Sequence, residues 1–222
     1  MKRELKIDLH VHTSEVSLCG QLPAKEIARM YKDAGYDAIV ITNHFNNDTA
    51  CHFERHGQND FYALYTDGYR LAKEAGESLG LTVLYGYEIR FTENFNDYLV
   101  YGMPDELAKD YKSLFAMKPK EFSALANENG FLFYQAHPFR NGMTVCRPDI
   151  LFGIEVHNGH SGHDSRNDIA LMWAEKYGLR KISGSDCHFA EGVGKAGIIT
   201  REDILTDEAL VNVLKSGEYE LI

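Results

Sequence analysis

The sequence predicts a parallel α/β fold, with a closed or nearly closed barrel ahead of an open doubly wound sheet. Three observations carry this. Short apolar runs alternate repeatedly with helical patterns along the 222 residues. The runs are continuous rather than alternating apolar with polar, as in strands buried on both faces. The loops that cradle nucleotides are also missing: no G-x-G-x-x-G follows the first run, and no G-x-x-x-x-G-K-[ST] occurs anywhere.

Each element follows in order. LKIDL (5–9) is the first strand. In PAKEIARMYKDAG, Pro23 suits the first helical position, Ile27, Met30 and Tyr31 share a side, and Gly35 stops the helix. DAIVIT (37–42) is the second strand. A longer helix over about 60–79 ends before Gly80 and leads into LTVLYG (81–86). YLVYG (98–102) comes next, then a helix in KPKEFSALANENG (118–130), then FLFYQ (131–135) and FGIEV (152–156). HDSRNDIALMWAEKYG (163–178) reads as a helix capped by Asp164 or Ser165, with Ile169, Met172, Trp173 and Tyr177 as its apolar side. RKISG (180–184) and AGIIT (196–200) are further strands, and a last helix spans about 206–216 between Thr206 and Gly217. Such alternation favours a parallel sheet, and without repeats or linkers it reads as a single domain over 1–222.

Composition narrows the class. The chain is 44% hydrophobic and 25% charged, ordinary for a globular protein. No apolar run approaches the roughly 20 residues of a membrane span. MKRELKIDLH has no long apolar stretch behind its basic residues, so it does not read as a secretory signal. The four cysteines (Cys19, Cys51, Cys146, Cys187) form no C-x-x-C pair and read as free thiols in a reducing cytoplasm. A formal charge of −10 argues against a broad footprint for duplex nucleic acid, with the reservation that bound cations would cancel part of it.

The polar residues fall in a pattern. His10 and His12 end the first strand, where side chains two apart share a face roughly 6.5 Å apart, with Leu9 and Val11 on the other. His44 follows the second strand, Glu88 the third and His137 the fifth. Glu155, His157 and Asn158 lie at the end of the sixth, and Asp186 and His188 follow the seventh. In parallel α/β folds the C-terminal strand ends gather on one face, which carries the active site. A lone histidine there is ordinarily a polar loop residue, and His52, His56, His160 and His163 read that way. Several strands delivering imidazoles and carboxylates to one rim read as a metal cluster. Unneutralised, such a set would face desolvation and repulsion. Imidazole with carboxylate suits Zn²⁺, Mn²⁺ or Fe²⁺, and the number of ligands suits two or three ions.

D-L-H-V-H-T (8–13), T-N-H (42–44), G-Y-E (86–88), H-P-F-R (137–140) and G-S-D-C-H (184–188) resemble, in order, the motifs of the PHP (polymerase and histidinol phosphatase) family. The resemblance implies a distorted (β/α)7 TIM-like barrel, a trinuclear metal site and hydrolysis of phosphate esters. It makes His10, His12, His44, Glu88, His137, Asp186 and His188 metal ligands, with Glu88 bridging two ions. Two positions depart from the family pattern. After H-x-H-T the nearest carboxylate is Glu15, with the Cys19 thiolate as a lesser alternative. Before the L-V-Y-G strand stands Asp97 instead of histidine.

The expected activity is that of a metal-dependent phosphoesterase acting on a small phosphomonoester, by attack of a hydroxide shared by two ions. Glu88 and Asp186 would serve it, and Arg140 is the best clamp for phosphoryl oxygens because guanidinium matches their geometry. Histidinol phosphate, a nucleotide or a nucleic-acid end would each fit such a cluster. A non-catalytic metal-binding regulatory module is the rival from another class, and an amidohydrolase-type reaction ranks lower. Phe45, Phe91, Phe139 and Phe189 lie near the rim and read first as loop anchors.

Overall fold

The computed structural model describes residues 3–222, so the first two residues of the MKRELK segment lie outside it. In chain order the elements are β1 (Leu5–Val11), α1 (Ala24–Asp33), β2 (Ala38–Ile41), β3 (His44–Phe45), α2 (Asn47–Arg55), α3 (Phe61–Leu79), β4 (Thr82–Arg90) and β5 (Asp97–Tyr101). Then come α4 (Asp105–Lys109), α5 (Tyr111–Ala116), α6 (Pro119–Asn129), β6 (Leu132–Gln135), β7 (Gly153–Asn158), α7 (Asn167–Tyr177), β8 (Arg180–Gly184), β9 (Ile198–Thr200), α8 (Asp207–Ser216) and β10 (Glu220–Leu221). Every apolar run named above overlaps a strand. The short β3 and β10 and the helices α2, α4 and α5 add to that reading.

The sheet runs β10-β9-β1-β2-β4-β5-β6-β7-β8 and curls into a nearly closed barrel. Closure comes from a single parallel bridge between Val11 and Cys187, with His12 N donating to Cys187 O at 3.1 Å and Cys187 N to His10 O at 3.2 Å. β9 and β10 hang antiparallel on β1, outside the ring. The interior is filled by Ile7, Leu9, Val40, Leu84, Leu99 and Ile182, joined by Leu210 and Leu214 of α8. Outside, Ile27 and Tyr31 of α1 pack on Ile39 and Ile41.

Three expectations are corrected. The sheet is mixed: β4 pairs antiparallel with β5, and β5 with β6. The reason is length, since residues 91–96 are too few for the crossover of about a dozen residues that a parallel return needs. Reversal brings the first residue of β5, Asp97, to the rim where the other strands end. In β1, a register irregularity between Asp8 and Val11 breaks the simple alternation. Leu9 stays with Ile7 in the interior, while Asp8 accepts a hydrogen bond from Tyr31 Oη at 2.8 Å. His10 and His12 still share the rim, with ring centroids 5.0 Å apart.

The third correction concerns α7, which starts at Asn167, after Arg166. Asp164 and Ser165 are engaged elsewhere: Asp164 Oδ1 accepts from Arg166 N at 2.9 Å, and Ser165 Oγ donates to Asn158 Oδ1 at 3.1 Å. The buried side of α7 is Ala170 and Ala174, not the large residues. Met172 is 68% exposed, and only Trp173 packs inward, edge-on to Phe139 at 5.9 Å. Small residues let the helix approach β7 closely.

β8 shows how tightly the rim is built. A Cβ on Gly184 would collide with the His10 side chain and lie 2.9 Å from Glu155 Oε1. Gly184→Ala is therefore expected to destabilise the fold by about 1–3 kcal/mol. Urea unfolding of the variant beside the parent checks this, and an unchanged midpoint would contradict the packing.

Candidate metal centre

β1 presents His10, with His12 just beyond its end, β3 His44, β4 Glu88 and β5 Asp97, while the turns after β6 and β8 present His137, Asp186 and His188. His10, His12, Glu88, Asp97, His137 and Asp186 are 2% exposed or less, and His188 is 6% exposed. The backbone is strained where two of them enter. His137 and Asp186 have φ of 27° and 50°, a region non-glycine residues rarely occupy and one that collects at functional sites.

Neighbouring groups fix which nitrogen of each ring faces inward. His10 Nδ1 lies 2.9 Å from Glu155 Oε1, so Nδ1 carries a proton and Nε2 is the nitrogen that faces inward. His12 Nδ1 lies 2.9 Å from Ser17 Oγ, whose own proton goes to Asn43 Oδ1, so here too Nε2 is the free nitrogen. His188 Nδ1 donates to the Asp186 carbonyl at 2.9 Å. Such outer partners orient metal-binding imidazoles. Glu155 is thus a buried brace rather than an inward ligand: its Oε2 also accepts from His137 N and Asn158 Nδ2, both at 2.9 Å.

The inward atoms test whether a cation fits. His10 Nε2, His12 Nε2, Glu88 Oε2 and Asp186 Oδ1 are buried without a hydrogen bond to any described residue. Yet His12 Nε2 lies 3.5 Å from Glu88 Oε2 and 3.2 Å from Asp186 Oδ1, and His10 Nε2 lies 3.5 Å from Asp186 Oδ1. These donor atoms converge without an aligned hydrogen bond between them, so the set fits a divalent ion. Sets His10–His12–Asp186, His12–His44–His188 and Glu88–Asp97–His137 each bring their donor atoms within 4.8 Å of one another.

Electrostatics agree. Burial disfavours the charged form of Glu88 and Asp186, but the surrounding imidazoles outweigh it and hold both carboxyls well below the usual range. Burial also opposes protonation of His10, which Asp186, Glu155 and Glu88 more than offset, raising it. His12 is lowered by burial and by its neighbours His188 and His44.

Two predicted ligands stand differently. The structure does not bring Glu15 to the cluster; both its carboxylate oxygens accept from Ala24 N at 3.0 Å, capping α1. Cys19 is there instead, its Sγ 3.2 Å from His44 Nε2. Burial works against the Cys19 thiolate, but hydrogen bonds with His188 and His44 bring the thiol from 9.0 down to about 6. Asp97 reaches the cluster already paired: Arg90 Nε donates to Oδ1 at 2.8 Å and Nη2 to Oδ2 at 3.0 Å.

The centre opens into a pocket of about 610 Å³. Arg90, Arg140, His160, His163 and Phe189 line it. The Arg140 guanidinium has no carboxylate partner among the described residues. Phe45 and Phe91 are core residues, Phe139 backs onto Trp173, and of the four aromatics singled out Phe189 alone lines this pocket. His157 turns away to Ser183 Oγ and Ile222 O. His160 and His163, read from sequence as ordinary loop residues, belong to the site: their rings stack at 4.3 Å, and His163 Nε2 lies 3.5 Å from Asp186 Oδ2. Their signal was available in the short distance from the end of β7. Arg90, likewise missed, stands two residues after Glu88 on the same strand face.

Comparisons with known proteins agree with this fold. The PHP-associated family model matches residues 164–219, the stretch that contains Asp186 and His188. An uncharacterised protein of Methanocaldococcus jannaschii, MJ0417, is 27% identical over 235 residues, covering 98% of this chain and 82% of that protein. A two-domain protein of Bacteroides vulgatus, containing a predicted PHP-like metal-dependent phosphoesterase, matches all of this chain at 20% identity and a TM-score of 0.69. The chain spans 65% of that protein's length. The lesion-specific endonuclease PfuEndoQ of Pyrococcus furiosus matches 99% of this chain, and 58% of its own, at 15% identity and a TM-score of 0.64. The fold is therefore similar to that of PHP-like metal-dependent phosphoesterases, the fold that the five motifs implied. No helix among the described residues is long and apolar enough to cross a membrane.

The centre predicts a pH dependence. Burial opposes protonation of His188, but Asp186 and Cys19 lift the ring from 6.5 to about 9. Because the folded value is raised, protonated His188 stabilises the ion-free fold fully below pH 6.5, and that contribution is lost as pH rises through about 9. Ligation needs the deprotonated ring. The thermal shift produced by Mn²⁺ should accordingly grow from pH 6.5 to 9, while the chelator-treated protein loses stability over that interval. Differential scanning calorimetry reads both, and a shift independent of pH would oppose this assignment.

Proposed function

We propose that the protein is a metal-dependent phosphoesterase that hydrolyses a small phosphomonoester. The observation that carries this is the set of converging donor atoms on His10, His12, Glu88 and Asp186, none of them in an aligned hydrogen bond, beneath a pocket that also presents a guanidinium with no carboxylate partner among the described residues. His10, His12, His44, Glu88, His137, Asp186 and His188 are the residues that would hold two or three divalent ions such as Mn²⁺, Fe²⁺ or Zn²⁺. Bound there, the ions would acidify water and neutralise phosphoryl oxygens.

The protein's own groups do the rest. Glu88, reached by His10, His12, His44 and His137 from three sides, is fixed at the centre and keeps its charge. Asp186 is pinned through Asn158 Nδ2, 3.2 Å from its Oδ2. Arg140 binds the non-bridging oxygens through its planar fork. His160 is pushed by burial, and by His163, His188 and Arg140, from 6.5 down to about 4, so it enters neutral. Gly162 N donates to its Nδ1 at 2.9 Å, which leaves Nε2–H as a donor for the substrate. The pocket volume suits a small molecule, and Phe189 offers an apolar wall for its leaving group. A phosphodiester substrate is the second reading, favoured by the fold likeness to the Pyrococcus furiosus endonuclease.

Turnover of p-nitrophenyl phosphate with added Mn²⁺, beside the bis-ester, tests both. Glu88→Gln should remove metal-dependent turnover and lower metal content. Arg140→Ala should reduce kcat/KM by about 10²–10³-fold while metal content stays unchanged. Arg140→Lys should recover only part, because ammonium lacks the fork. A folded, metal-loaded protein without activity on any phosphate ester would point to a binding module.

A further inference from the structure

We propose that Cys19 supplies a thiolate to a cation position formed with His44 and His188, so that one ion of the centre is held by sulfur and nitrogen. This deepens the metal-dependent reading above and rests on it. Cys19 Sγ is 3.2 Å from His44 Nε2, and the two residues line the same pocket as His188. His188 spends Nδ1 on the Asp186 carbonyl, so its second nitrogen is the one available to an ion. Behind this group stands His12, 0% exposed, its Nε2 unpartnered among the described residues. Its ring lies 4.1 Å from that of His188 and 4.5 Å from that of His44, and the donor atoms of the three lie within 4.8 Å of one another. A buried, unpartnered nitrogen aimed at this corner is evidence for a cation that does not depend on the cysteine; the sulfur stands on the corner's open side.

The loop is held for the purpose. Gly20 N donates to Ser17 O at 2.8 Å, and Gln21 N to His188 O at 2.9 Å, tying the Cys19 turn to the segment that carries His188. Ser17 Oγ accepts from His44 N at 3.1 Å, joining the same turn to β3. Glu15, the carboxylate alternative, is committed to α1. Cys187, although adjacent to His188 in sequence, is buried and donates to Phe189 O at 3.4 Å, so it does not compete. A position with one sulfur and imidazole nitrogens favours Zn²⁺, Fe²⁺ or Co²⁺ over Mn²⁺ or Mg²⁺.

The test uses the whole chain, stripped with chelator and titrated with Co²⁺ alone. The parent should develop a near-ultraviolet thiolate-to-cobalt charge-transfer band. Cys19→Ser should lose the band and one equivalent of cobalt while keeping the remainder; Cys51→Ser and Cys146→Ser should retain both. Cys19→His should restore the equivalent without the band. Zinc at this position should weaken in Cys19→Ser by more than the roughly 10–100-fold that follows loss of an outer partner. Cobalt bound by the parent with no such band, or a band that survives in Cys19→Ser, would overturn the assignment and leave the metal-dependent reading intact. A parent chain that retains no cobalt would overturn both. Cys19 is exposed, so the variants should unfold at the parent's temperature in chelator, and Cys19→His decides if the serine variant does not.

Discussion

Two carboxylates, Glu88 and Asp186, are buried in a ring of imidazoles with several of their lone pairs left unshared, and the rest of the rim is arranged around that fact. Removing such groups from water costs several kcal/mol per charge unless something positive compensates. Without a cation, protons take its place. His10, His44, His137 and His188 are all raised, because after burial is set against them the neighbouring carboxylates prevail. His12 is the exception, lowered by burial and by His188 and His44, and so it is the ring that already offers a lone pair. Ion binding at this centre is on this account an exchange of protons for metal.

The barrel accepts such an arrangement because it separates two tasks. Its interior below the rim is apolar and closed by α8, and its outer clusters pack α1 and α3 against the strands. The rim is free to hold polar groups that contribute nothing to a core. Even so, it needs braces. Asp8 accepts from His10 N, Ser185 N and Tyr31 Oη, joining β1 to the turn after β8 at the seam where the sheet is held by one bridge. Glu155 ties β7 to His10 and to the His137 turn. Strain at His137 and Asp186 is sustained by these contacts rather than by local preference.

Much of this was legible in the chain itself. The strand runs were readable because parallel strands buried on both faces show as unbroken apolar segments, and the ligand-type residues were readable because each follows such a run. What periodicity hides is the direction of a strand. YLVYG looks the same in either sense, and only the brevity of residues 91–96 reveals that it returns antiparallel. Helix faces were less legible: in α7 the large residues mark solvent and two alanines mark the core, which reverses the usual hydrophobic signal. Glu15 could not be placed from its position near H-x-H-T, since its carboxylate has an alternative use at the N-terminus of α1 that only the turn geometry decides. His160 and His163 read as solvent-facing because loops usually are; the stack they form over Asp186 depends on how residues 158–166 fold back.

The two departures from the pattern that the chain resembles fall in different parts of the centre, Cys19 beside His44 and Asp97 with Glu88 and His137, and they differ in chemistry. Under the assignment proposed for Cys19, a sulfur would take the place of a harder ligand on one flank and suit a thiophilic ion. On the other, Asp97 stands where a neutral imidazole is usual, and Arg90 already donates to both of its oxygens. A carboxylate for an imidazole adds one negative charge, and the guanidinium cancels it, so that flank keeps the net charge of the histidine it lacks. Arg90 also lines the pocket, as Arg140 does, but its charge is already matched by Asp97. An ion at Asp97 would have to share that carboxylate with a guanidinium a few ångströms away, whereas an ion at Cys19 meets no such competitor. On the proposed reading the centre would be unequal: an ion at its floor or on the Cys19 side would meet no competing guanidinium, whereas on the Asp97 side it would compete with Arg90 for the carboxylate.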